Sequence, residues 1–162
     1  MGGREVRVTE KTIQAIIMRY VIDDLNHEYA VPNTTQVFYW EADLISSTRA
    51  GLIHEFEIKL NNQDYKADAR KSNKHWLINN GMKCPNYFWY VTYAFDITPP
   101  EKAGWIKVTK TESLHNYGWS IQVMKPAPRL HTQKLTERQT KQVLRSLAYR
   151  VLTGYLEKYI KE

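Results

Sequence analysis

The chain has 162 residues, of which 43% are hydrophobic and 12% aromatic, with a formal net charge of +6. That length and apolar content give one domain with its own core, residues 1–162, and exclude a disordered chain. A single cysteine, Cys84, excludes a disulfide framework and a multi-cysteine zinc site, and the pI near 9.3 favours a polyanionic partner without naming one.

From Thr9 to about Tyr29, apolar residues recur at three- and four-residue steps (Ile13, Ile16, Ile17, Tyr20, Val21, Leu25). This predicts an amphipathic helix with Thr9 as N-cap, ended by "YAVPNTT". The stretches "QVFYWEADLIS" (36–46) and "LIHEFEIKL" (52–60) predict two strands joined by a turn at "STRAG". Residues 61–81 predict a second helix closed by Gly81, with Lys66, Arg70 and Lys74 on one face and Trp76 packed on the sheet. "YFWYVTYAF" (87–95) is apolar on both faces, as in a central strand. "GWIKVTK" and "GWSIQVM" predict shorter strands. A final helix from about Thr136 to Ile160 is expected to turn Val143, Leu144, Leu147, Val151, Tyr155 and Tyr159 inward. Its start carries a basic stripe of Lys134, Arg138, Lys141 and Arg145.

The chemistry gathers on the hairpin. A turn centred on Ala50 makes paired residue numbers sum to 100, so Asp43 faces Glu57 and Glu41 faces Lys59. Opposed carboxylates repel unless water or a cation separates them. Asp43, Glu57, the Ile58 backbone carbonyl and water form a set suited to Mg²⁺, with Mn²⁺ able to substitute. Lys59 lies one pleat beyond Glu57, where an ammonium can steady phosphate charge. Glu10, in the first helical turn, is a further candidate for the same site. The competing reading makes Glu41 and Lys59 an ordinary ion pair on a solvated face.

Asp43, thirteen intervening residues and then Glu57-Ile58-Lys59, set between a helix and a helix–strand unit, resembles the PD-(D/E)XK nuclease superfamily. Within it the chain is most similar to MmcB-like DNA-repair proteins, along "ADLISSTRAGLIHEFEIKLNNQDYKADARK", "YFWYVTYAF" and "PPEKAGWIKV". Ala42 stands where the superfamily often has proline, and Asp64 and Asp68 fall on the D-x-x-x-D that follows E-x-K in these relatives. The resemblance implies an α/β (α+β), restriction-endonuclease-like αβββαβ core with a mixed central sheet and a long C-terminal helix. It also implies a Mg²⁺-dependent endonuclease of DNA repair or DNA-structure processing, with Asp43, Glu57 and Lys59 catalytic. The alternative is a catalytically inactive DNA-binding repair factor with the same fold. DNA is the expected partner, with Lys66, Arg70 and Lys74 tracking phosphates. A homodimer stays open, and no organic cofactor is expected. The apolar runs fall short of a membrane span and "MGGREVRVTEKT" is too polar for a secretory signal, so the expectation is cytoplasmic with no membrane.

Overall fold

The computed structural model describes residues 7–35 and 37–161; Gln36 and the two ends of the chain lie outside it. Six strands form one mixed sheet in the spatial order of the sequence: β1 (Tyr29–Thr34), β2 (Ala42–Ser47), β3 (Ile53–Lys59), β4 (Tyr87–Tyr93), β5 (Gly104–Lys110) and β6 (Trp119–Lys125). β1–β2, β2–β3 and β5–β6 are antiparallel, while β3–β4 and β4–β5 are parallel. The helices are α1 (Glu10–Arg19), α2 (Asn62–Asp68), α3 (Ser72–Asn79) and α4 (Glu137–Tyr159). This is the expected α+β architecture, with a mixed central sheet and a long C-terminal helix.

Each face of the sheet has its own cover. Ile13 and Ile17 of α1 pack with Leu44, Phe56, Ile58, Val91 and Ile106 on one side. On the other, Val143 of α4 meets Val31, Ile45 and Ile53, and Ile78 of α3 meets Phe88 and Tyr90. The expected hairpin register holds where the two strands pair: Leu44 faces Phe56, Ile45 faces Glu55, and Ser47 faces Ile53. Gly51, at φ +85° in the turn, supplies the left-handed backbone that closes it.

Several expectations fail, each for a local reason. The first helix does not reach Tyr29. Thr9 caps it as expected, but it passes into a π-helical turn (Tyr20–Asp24) and ends there. "YAVPNT" is then a strand rather than a breaker, since Pro32 sits on the sheet edge, where a missing N–H is tolerated. Residues 37–40 bend away from the sheet, so β2 begins only at Ala42. The second helix breaks between Asp68 and Ser72. That break turns Lys74 inward, to 5% exposure, while Lys66 and Arg70 stay exposed and Trp76 is left largely in solvent. On α4, Val143 is buried and Leu147 packs at the edge of that cluster. Leu144 is exposed beside buried Val143, outside the cluster that Val143 and Leu147 join. Val151, Tyr155 and Tyr159 are exposed along the second half of the helix, beyond that cluster.

Candidate functional site

β2 and β3 stop pairing at Leu44 and Phe56, and the site is built where they part. Beyond that point the Ile58 N–H donates to Asp43 Oδ2 at 2.8 Å, so a carboxylate takes the place of a ladder carbonyl. Gln14, buried in α1 beside Ile13 and Ile17, fixes the other side of Asp43. Its Nε2 donates to the Asp43 carbonyl oxygen and to Asn33 Oδ1, both at 2.8 Å, and reaches Glu10 Oε1 at 3.5 Å. Burial pushes the Asp43 pKa up to about 7. Repulsion from Glu57 and Glu10 adds to the rise, against the Ile58 hydrogen bond and the Lys59 charge. Asp43, Glu57, Glu10 and Lys59 therefore share one electrostatic neighbourhood.

Glu55, Glu57 and Lys59 line one face of β3, as strand alternation requires, but that face is not open. They are 0%, 4% and 8% exposed beneath α2 and α3. Glu57 Oε1 accepts from Lys59 Nζ at 3.0 Å and Oε2 from Lys74 Nζ at 2.9 Å. Asp68 Oδ1 lies 3.6 Å from the Nζ atoms of Lys59, Lys71 and Lys74. Tyr90 Oη donates to Asp68 Oδ2 at 2.6 Å, and the His75 ring approaches the same oxygen at 3.3 Å. Lys59 thus pairs with Glu57 and Asp68. Glu41 is exposed, and the solvated Glu41–Lys59 pair does not form.

Charge in this cluster balances because one carboxyl keeps its proton. Burial drives the Glu55 pKa up to about 8 despite the attraction of Lys74, so near neutrality Glu55 largely keeps its proton. It accepts from Trp40 Nε1 at 2.7 Å, and its second oxygen has no hydrogen-bond partner, a state open to a neutral carboxyl. Burial alone would also raise Asp68. The His75 hydrogen bond, Lys74, Tyr90 and Lys59 outweigh it and hold Asp68 well below the carboxylate range. Burial would lower Lys74, but Glu55, Glu57 and Asp68 hold it above its ordinary value. Two buried carboxylates, Glu57 and Asp68, then face two buried ammoniums, Lys59 and Lys74.

Among the described residues, no three His, Cys, Asp or Glu side chains gather closely enough to hold a metal between them. A divalent ion would rely on two carboxylates, the Ile58 carbonyl and water. The donors suit that role. A carboxylate offers about four lone-pair sites, Asp43 spends one on Ile58, and Glu57 spends two on lysines. Burial is the larger cause of the raised Asp43 pKa, and the repulsion from Glu57 and Glu10 that adds to it is what a hard cation would relieve.

Lys74 is the one expected DNA-tracking residue that the fold diverts, into the cluster. Lys66 and Arg70 remain at the surface, and Asp64 is exposed and bonded to Asn61. Sequence reasoning missed Gln14, Trp40, His75 and Tyr90. A polar Gln14 inside an apolar helical stripe was the one local signal for any of them.

No family model matches this chain, and no curated protein matches it. A solved structure is similar in fold: "SPO1766 protein of unknown function from Silicibacter pomeroyi". It has a TM-score of 0.61 and 14% identity, covering 93% of this chain and 92% of that one. At that identity the likeness speaks for the fold alone.

Proposed function

We propose that this chain is a Mg²⁺-dependent deoxyribonuclease of DNA repair or DNA-structure processing, with the site at the parting of β2 and β3. The observation that carries this reading is the Asp43 carboxylate, half-buried at that edge and repelled by Glu57, with Lys59 two residues further along β3. A binding protein gains nothing from holding two carboxylates against each other next to a lysine. When bound by Asp43, Glu57 and the Ile58 carbonyl, a divalent ion would supply a more acidic water and a polarised phosphate. Lys74 and Lys59 hold the two Glu57 oxygens in one orientation. Gln14 fixes the Asp43 backbone. Lys59, two residues beyond Glu57 on β3, supplies the positive charge of the set, and exposed Lys66 on α2 and Arg70 just after it would offer phosphate contacts.

One feature favours the second reading, a DNA-binding factor without turnover: both Glu57 oxygens are already engaged by ammoniums. Nicking of supercoiled, single-stranded and branched DNA in Mg²⁺ and Mn²⁺ separates the two. The nuclease reading expects cutting by the wild type and none by Glu57→Ala or Lys59→Ala, with DNA binding retained. A wild type that binds all three substrates and cuts none identifies the binding factor.

A further inference from the structure

The segment that leaves the sheet before β2 builds the wall of a cavity of about 480 Å³, within the range of small-ligand sites. Its floor is apolar, with Ile53 and Cys84 both buried. Phe38 lines one side and stacks on Trp40 at 5.4 Å and 20°, so the ring is held flat. Tyr39 stands beside it, with its hydroxyl accepting from Lys83 Nζ at 2.7 Å. Lys83 and Lys134 flank the opening, and among the described residues neither forms an ion pair with a carboxylate. Gln139 contributes an amide whose oxygen is fixed by the Thr136 N–H at 2.9 Å, which leaves its NH₂ as a donor.

A flat aromatic wall, an apolar floor, an oriented amide donor and two cations at the rim are complementary to a nucleobase carrying a phosphate. A purely apolar ligand would strand the lysines, and an inorganic anion would leave the aromatic wall unused. We infer that this cavity receives one nucleotide of a single DNA strand, its base against Phe38 and Tyr39 and its phosphate between Lys83 and Lys134. The inference rests on the DNA reading above for the polymer, while the cavity chemistry stands apart from cleavage. Its position fits: Ile53 on the floor and Glu57 in the site share β3, four residues or about 13 Å apart. Trp40 joins the two, stacking on Phe38 and donating to Glu55. That spacing is within reach of a strand with one base in the cavity and its backbone at the half-buried Asp43 edge.

Amide NMR spectra of the full chain test this with three probes: deoxyadenosine monophosphate, deoxyadenosine and inorganic phosphate. The monophosphate should shift the amides of Lys83, Cys84 and Gln139 saturably, and binding should be several-fold weaker for each of the other two. Lys83→Gln with Lys134→Gln, both at the surface, should weaken monophosphate binding about tenfold. Phe38→Ala should weaken all base-containing probes by about tenfold, and its own spectrum reports whether it is folded. No saturable shift in the cavity, equal binding of inorganic phosphate, or an unaffected lysine double variant would each overturn the inference. DNA nicking by the same preparation keeps the two readings apart. Cutting without cavity shifts removes the nucleotide site and leaves the nuclease; cavity shifts without cutting do the reverse.

Discussion

Lys74→Met removes a buried ammonium that lies 2.9 Å from Glu57, 3.6 Å from Asp68 and 3.9 Å from Glu55. With Glu55 largely protonated, the change leaves Glu57 and Asp68 sharing Lys59 as their one buried ammonium, while Lys71, Tyr90 and His75 continue to support Asp68 alone. Removing one partner of a buried ion pair costs about 3–5 kcal/mol, because the remaining charge stays desolvated. At about 2–4 °C per kcal/mol for a chain of this size, the melting temperature should fall by roughly 6–20 °C. The carboxylates raise the Lys74 pKa, so its contribution is fully present below pH 10.5 and fades only as pH climbs through the raised value. A measurement at pH 7.5 therefore samples all of it. Urea unfolding followed by tryptophan fluorescence gives the number, with Lys66→Met as the surface control, expected within about 0.5 kcal/mol of wild type. Equal effects from Lys74→Met and Lys66→Met would refute the buried cluster and restore Lys74 to a solvated stripe.

Two further outcomes test other parts of the molecule. Burial, and to a lesser degree His27, push the His54 pKa down to about 3, and its Nδ1 accepts from Trp89 Nε1 at 3.0 Å. The unfolded chain then binds the extra proton between about pH 6.5 and 3, so stability should fall on acidification through that window. The His54 share is at most about 1.4 kcal/mol per pH unit. His54→Phe should flatten the slope in urea melts taken across the window, and an unchanged slope would remove His54 as its source. Replacing Lys66 and Arg70 together by Ala should weaken DNA binding and make its salt dependence shallower, by about one unit of log–log slope for each phosphate no longer neutralised. A fluorescence-anisotropy titration over a salt series reads this, and an unaltered slope returns both residues to ordinary surface charge.

The hairpin was legible because two local signals agree. Alternation assigns each residue to a face, and the Ala50-centred turn sets a register that the Leu44–Phe56 and Ile45–Glu55 pairs follow. The strand from Tyr87 was equally readable, since a run apolar on both faces has few alternatives to a central strand. What failed was everything decided by contacts between distant segments. The i+4 spacing of Lys66, Arg70 and Lys74 is a helical stripe only while the helix continues. The break between Asp68 and Ser72 rotates Lys74 away, and nothing in the local pattern announces it. The apolar face of α4 was read correctly as a pattern and wrongly as a burial, because sequence shows which residues could be covered but not how far the sheet extends beneath them.

The buried charges follow the same logic one step further. A glutamate at position 55 of an alternating strand reads as solvent-facing, since an isolated carboxylate is costly to bury. It is buried because Lys74, delivered by the helix break, lies 3.9 Å away, Trp40, delivered by the bend before β2, donates to it, and a retained proton removes its charge. Lys74 and Trp40 reach Glu55 through the helix break and the bend, neither of which is encoded in the alternation of the hairpin strands. Asp43 differs: its partner Ile58 is a hairpin neighbour, so the acidic edge at the parting of β2 and β3 could be located from register alone. That contrast gives the two halves of the site different tolerances. The Asp43 edge should survive substitutions in α3 as long as the hairpin forms, whereas the orientation of Glu57 depends on Lys74 and fails with it.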